Sequence, residues 1–227
     1  MRKLESKIGV IIFHKNILNI YDKKWIEKSV ESMVNQSYDQ LNFYEVNYGG
    51  DGYSVLENYD SLNKKFWSVD LKNYAEAMNF IIDKSFDDGC DYVFNTNLDD
   101  YYHVDRVKNQ LESIGDLDIL STDFVYISEI DGVDVQTKQM IMSHFSYRIK
   151  EELDNNHNVI AHPSVCMAKS FWEKENKYDI NKVPEEDLDL WKRSINNGYK
   201  FGILNQKLLF YRIHKTQISN RRKENVY

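Results

Sequence analysis

The chain has 227 residues, 42% of them hydrophobic and 14% aromatic, and a formal net charge of −7. That length suits one large domain with a substantial core. The acidic balance disfavours a nucleic-acid surface, and no apolar stretch reaches the ~20 residues of a membrane span.

The first residues, Met1 to Lys7, run straight into a strand pattern without a signal-peptide signature, which predicts a soluble, cytoplasmic protein. "IGVIIF" (8–13) is a continuous apolar run, as expected of a strand covered on both faces. A helix is predicted from Asp22, its N-cap, with Ile26, Val30, Met33 and Val34 on one face. "FYEVN" (43–47) and "FWSVD" (66–70) read as strands separated by the turn-rich "GGDG" (49–52). A helix over 73–86, a strand at Tyr92-Val93-Phe94 and a helix over 103–114 follow; Val104, Val107, Leu111 and Ile114 form the last one's apolar face. This alternation predicts an α/β fold with a mostly parallel sheet. "DILSTDFVYI" (118–127) opens a more mixed half, with strands expected at 159–167, 201–204 and 208–213 and helices near 143–154 and 185–196. Cys90 and Cys166 make no metal or disulfide motif and read as reduced, buried thiols. Arg221-Arg222-Lys223 reads as a solvated basic tail.

Three constellations carry chemistry. Asp99 and Asp100 follow the strand at 92–94, at what reads as an exposed tip on the sheet's carboxyl edge, where α/β proteins bind ligands. Two readings stand: a cap for the helix expected at His103, or a site for Mg²⁺ or Mn²⁺ completed by phosphate oxygens. "VPEEDLDLWKRSINNGYKF" (183–201) gathers Glu185, Glu186 and Asp187 at a helix start, with Pro184 suited to the first helical position. Leu188, Trp191 and Ile195 form the expected buried stripe, and Asp189 suits pairing with Lys192 or Arg193. Crowded carboxylates complement the helix dipole, and one of them is a candidate general base. Arg212 and His214 end a strand two residues apart, on one face. His162-Pro163-Ser164 reads either as a turn before a core strand or as a border of the second half's cleft.

In this order, the segments "IGVIIFHKN", "WIEKSVESMVNQSY", "LKNYAEAMNFII", "NLDDYY", "PEEDLDLWKRSINNGYKF" and "YRIHKTQIS" resemble a family 2 glycosyltransferase of GT-A fold. The resemblance runs from Ile8 to about Ser219. It implies a Rossmann-like, mostly parallel sheet flanked by helices, in a single domain. A nucleotide-binding half would cover about 8–115 and an acceptor-binding half about 116–219, with the tail at 220–227.

The resemblance further implies an inverting transfer from a nucleotide-diphosphate sugar, UDP-linked by preference, to a hydroxyl of a glycan or other acceptor, with Mn²⁺ or Mg²⁺. Asp99 and His214 would hold the metal, and Asp187 would be the catalytic base. Phe13, His14, Asp51, Lys72, Asn97 and Asp100 would meet the donor; Glu186, Trp191 and His162 would stand on the acceptor side. Two positions depart from the family pattern: Asn97 replaces the first aspartate of Asp-x-Asp, and "NYGGDG" (47–52) replaces Asp-Asp-Gly-Ser. These departures support a competing, non-catalytic sugar-nucleotide-binding domain, while the Glu186-Asp187 pair speaks against it. A retaining transferase is a further alternative. A sugar-nucleotide pyrophosphorylase is set aside, because the loop "HKNILNIYDK" (14–23) has no glycine to cradle phosphates.

Overall fold

Strand β1 (Ile8–His14) is buried along nearly all its length. In the computed structural model, which describes residues 6–172 and 177–217, Ile8, Val10 and Ile12 face one core and Ile11 the other. The basic tail and Ser219 lie outside the described residues. Helix α1 (Lys23–Val34) starts at Asp22, whose carboxylate accepts from the Lys24 amide at 3.0 Å. Strand β2 (Leu41–Asn47) is followed by β3 (Asn63–Ser68), which begins before the expected 66–70 because its parallel ladder to β2 already pairs Asn63 with Asn42. Helix α2 (Tyr74–Asp87) is capped by Asn73, which accepts from the Glu76 amide, while Glu76 reaches back to the Lys72 amide at 2.7 Å.

Strand β4 (Tyr92–Phe94) lies parallel to β1. The chain then makes a short strand, β5 (Tyr101–Tyr102), that the sequence pattern did not predict. Pairing with 208–210 draws residues 101–103 into the sheet, so α3 (Arg106–Ser113) begins three residues later than expected. Val104 therefore falls outside the helix and is exposed, while Val107, Leu111 and Ile114 are buried as predicted. Strands β6 (Ile119–Ile130) and β7 (Val133–Met140) form a hairpin. A 3₁₀ segment (Met142–Arg148) leads into α4 (Ile149–Asp154).

Of the strand expected at 159–167, only β8 (Cys166–Ala168) forms, since the 3₁₀ turn His162–Ser164 around Pro163 interrupts it. After α5 (Lys169–Trp172), α6 (Glu186–Asn196) starts with Glu185 at its cap position, which puts Pro184 ahead of the helix rather than at its first position. Leu190 and Trp191 are fully buried there, and Leu188 and Ile195 only partly. Strands expected at 201–204 and 208–213 are one strand, β9 (Phe201–Arg212). Pairing with β6 carries it through the polar Asn205-Gln206-Lys207, with a register irregularity opposite Asp123.

The described strands form one sheet of nine, in the order β3-β2-β1-β4-β8-β6-β9-β5, with β7 beside β6. β8 is antiparallel to both β4 and β6, so β6 and β9 run with β1 to β4, and only β5, β7 and β8 run the other way. Helices α2, α4 and α6 pack on one face and α1 and α3 on the other. Cys90 and Cys166 are free and buried. Among the described residues no helix is long and apolar enough to cross a membrane.

Candidate functional site

A cavity of about 550 Å³ opens beyond the carboxyl ends of β1 and β4, a volume suited to a small-molecule ligand. Its wall includes Phe13 and His14 from the end of β1, Asn97 and Asp99 from the segment after β4, and Glu186 and Asp187 from the first turn of α6.

The segment after β4 is fixed atom by atom. The Thr96 hydroxyl donates to the Ile11 carbonyl at 2.6 Å, and the Ser29 hydroxyl to the Asn97 carbonyl at 2.9 Å. The Asn97 amide donates to the Tyr102 hydroxyl at 2.7 Å, and Arg106 donates to the Asn95 carbonyl at 2.9 Å. Asp99 and Asp100 are not an exposed tip: they are 7% and 1% exposed. With α3 starting only at Arg106, neither of them caps it. Asp99 faces the cavity. Asp100 sits behind the wall, where it accepts from the Arg212 amide at 2.8 Å. Burial, and then the charge of Asp99, push the Asp100 carboxyl well above the usual carboxylate range, with Arg212 opposing.

His214 lies just past β9, and its Nε2 is 2.9 Å from Asp99 Oδ2. Its other nitrogen meets the Thr216 hydroxyl at 2.9 Å, and Tyr21 and Trp25 hold the ring at centroid distances of 5.4 and 5.2 Å. The imidazole nitrogen thus meets the carboxylate of Asp99, which lines the cavity, and the pair is a donor set that fits a divalent cation. Among the described residues no three or more acidic, histidine or cysteine side chains gather as a metal site. Two protein ligands suffice only if the bound ligand, a phosphate-bearing one by this chemistry, completes the shell.

On the α6 side, Asp187 Oδ2 accepts from Asn158 Nδ2 at 2.9 Å, and its Oδ1 accepts from the Leu188 amide at 2.7 Å. Glu186 is bonded by the Tyr74 hydroxyl, and Tyr74 stacks on Phe13. His162 lines the cavity from its 3₁₀ turn, 2.9 Å from the Tyr178 hydroxyl and 3.3 Å from Asn95 Nδ2.

Four sequence-derived candidates stand elsewhere. Trp191 is fully buried among Phe171, Tyr178 and Phe201, a core position rather than a cleft wall. Asp51 is exposed and turned into its own loop, toward the Asn47 side chain and the Tyr53 amide. Lys72 is exposed and bonded to Asn181 at 3.1 Å. Asp100 is the fourth, behind the wall. Sequence reasoning missed Asn158, which lies in a stretch without a readable motif, and Tyr74, whose only signal is an aromatic residue opening a helix. It also missed Glu45, buried in β2, which holds His14 Nε2 at 2.8 Å.

No family model matches the chain. The O-antigen biosynthesis glycosyltransferase WbnJ of Escherichia coli is 26% identical over 211 residues, 86% of this chain and 76% of that protein. An uncharacterised glycosyltransferase of Methanocaldococcus jannaschii, MJ1057, is 26% identical over 225 residues, 90% of this chain and 72% of that protein. Among solved structures, S. aureus TarS 1–349 in complex with UDP superposes with a TM-score of 0.67 at 16% identity, over 91% of this chain. The mannosyltransferase PcManGT of Pyrobaculum calidifontis, in complex with GDP-Man and Mn²⁺, also superposes with a TM-score of 0.67, at 12% identity over 97% of this chain. The chain spans 60% and 61% of those two solved chains. By sequence the chain is similar to glycosyltransferases, and by fold it resembles solved proteins bound to UDP and to GDP-Man.

Proposed function

We propose that the protein transfers a sugar from a nucleotide-diphosphate donor, a UDP-sugar by preference, to an acceptor hydroxyl, with inversion and with Mn²⁺ or Mg²⁺. The observation that carries this reading is the meeting, at 2.9 Å, of His214 with Asp99, which lines the same cavity as Asp187. TarS binds UDP and UDP-GlcNAc, and PcManGT binds GDP-Man with Mn²⁺, which supports a nucleotide-sugar donor here.

Asp99 and His214 would hold the cation, whose chemistry when bound is to offset charge on the departing diphosphate. The wall at Phe13, His14 and Asn97 takes the nucleotide. Asp187 accepts the proton of the acceptor hydroxyl as that oxygen bonds to the anomeric carbon and the diphosphate leaves from the opposite face. Asn158 and the Leu188 amide fix the orientation of its carboxylate. One displacement without a covalent intermediate inverts the carbon. Glu186, tied to Tyr74, and His162 border the acceptor.

Calorimetry with UDP, GDP and Mn²⁺, followed by a screen of nucleotide sugars for metal-dependent hydrolysis, tests the donor. Asp99→Ala should abolish Mn²⁺-dependent nucleotide binding. Undiminished affinity in that variant overturns the cation assignment, and a product of retained anomeric configuration overturns the inverting step.

A further inference from the structure

The β6–β7 hairpin reaches across to α1 and to the end of β9, and the contacts it makes there are charged and specific. Arg212, 1% exposed, is the meeting point. Its guanidinium donates to both carboxylate oxygens of Asp134 on β7, and its Nε donates to the Asp99 carbonyl at 2.9 Å. Its amide holds Asp100, and its carbonyl accepts from Gln217. The guanidinium also lies 4.7 Å from the Trp25 ring, the same ring that holds His214. Trp25 in turn donates its indole N–H at 2.7 Å to Glu129, on the opposite strand of the hairpin.

We infer that the hairpin is a positioning arm for the cation site, with Asp134 acting through Arg212 on Asp99 and on the segment that carries His214. This rests on the reading of Asp99 and His214 as cation ligands. The physical reason is orientation. A buried guanidinium has a planar, forked set of donors, and a bidentate carboxylate fixes its plane. With that plane fixed, Nε points at the Asp99 carbonyl. Without Asp134, a buried cation lacks its counter-charge and turns toward other acceptors, and the main chain of Asp99 is no longer held. Groups that orient metal ligands without touching the metal typically change affinity 10–100-fold when removed.

The test is Asp134→Asn, with Asp134→Glu as the conservative rescue. Lys28→Met is the control, because Lys28 also pairs with Asp134 from α1, at 2.6 Å, without reaching Arg212. Two quantities are read: Mn²⁺ affinity in the presence of UDP or GDP, whichever the wild-type chain binds, and amide hydrogen exchange in the metal-free protein. Asp134→Asn should weaken Mn²⁺ about tenfold, the lower end of that range. It should also speed exchange over residues 97–102 and 211–214. Asp134→Glu should restore both, and Lys28→Met should move neither. Wild-type affinity and exchange in Asp134→Asn, with binding lost in Asp99→Ala, overturns the arm and leaves the cation site standing. Equal losses in Lys28→Met and Asp134→Asn also overturn it, since hairpin docking would then be the whole effect. Mn²⁺ binding unaffected by Asp99→Ala takes down the cation reading and the arm with it.

Discussion

Replacing Asp187 by Asn separates chemistry from structure, because the cost of each can be worked out at this position. The Asn carbonyl can keep the bond from the Leu188 amide, but its NH₂ then faces Asn158 Nδ2, donor against donor. Turning the Asn158 amide over would repair that contact and break the bond its oxygen accepts from the Ile160 amide at 3.2 Å. Either way one partly buried hydrogen bond is lost, about 1 kcal/mol. Losing an anion from the first turn of α6 adds roughly 0.3–1 kcal/mol. A chain of this size loses about 2–4 °C in Tm per kcal/mol, so a drop of roughly 3–8 °C is expected. As the proton acceptor, Asp187 should matter far more to the rate: transfer should fall roughly 10²–10⁴-fold, or about 3–5 kcal/mol of barrier. The assay is steady-state transfer to a known acceptor, with donor affinity measured in parallel by calorimetry and Tm by scanning. Donor and cation affinity should persist. Transfer at near wild-type rate, with the Tm drop present, would refute Asp187 as the base and favour a retaining mechanism.

His214→Ala should weaken Mn²⁺-dependent nucleotide binding about tenfold or more and also lower Tm measurably, because the ring is packed between Tyr21 and Trp25 rather than standing at an open strand end. Normal binding combined with a large Tm loss would mark it as a packing residue only. Asp88→Asn should change the acid limb of stability. The Lys65 ammonium, the Tyr44 hydroxyl and Lys7 hold the Asp88 carboxyl well below its usual range, so its contribution is present above the unfolded value near ~4 and fades as pH falls below it. Urea midpoints of wild type and variant should therefore differ at neutral pH and converge as the solution is acidified; a gap that is constant with pH would refute this.

Much of the fold was legible in the sequence, because the first half is built from local signals. The apolar run 8–13, the cap at Asp22 and the helix expected over 73–86, which forms as Tyr74–Asp87, follow from periodicity and capping, both set by neighbours a few residues apart. The acidic segment at 97–100 and the Glu186-Asp187 pair were legible as a constellation for the same reason: residue type and spacing are written in the chain. Where sequence reading failed, a distant partner decided. Residues 101–103 became strand because 208–210 were there to pair with, which delayed α3 and exposed Val104. The polar stretch 205–207 stayed in one strand because β6 supplied the ladder. Trp191 went to the core because Phe171, Tyr178 and Phe201 enclosed it. Asp99 was buried because Arg212, from more than a hundred residues away, bonds its main chain. His214 meets Asp99, and Asn158 meets Asp187, for the same kind of reason. The chain's local chemistry determined which residues were available for a site. Only the tertiary structure, by closing long loops against the sheet, decided which of them meet.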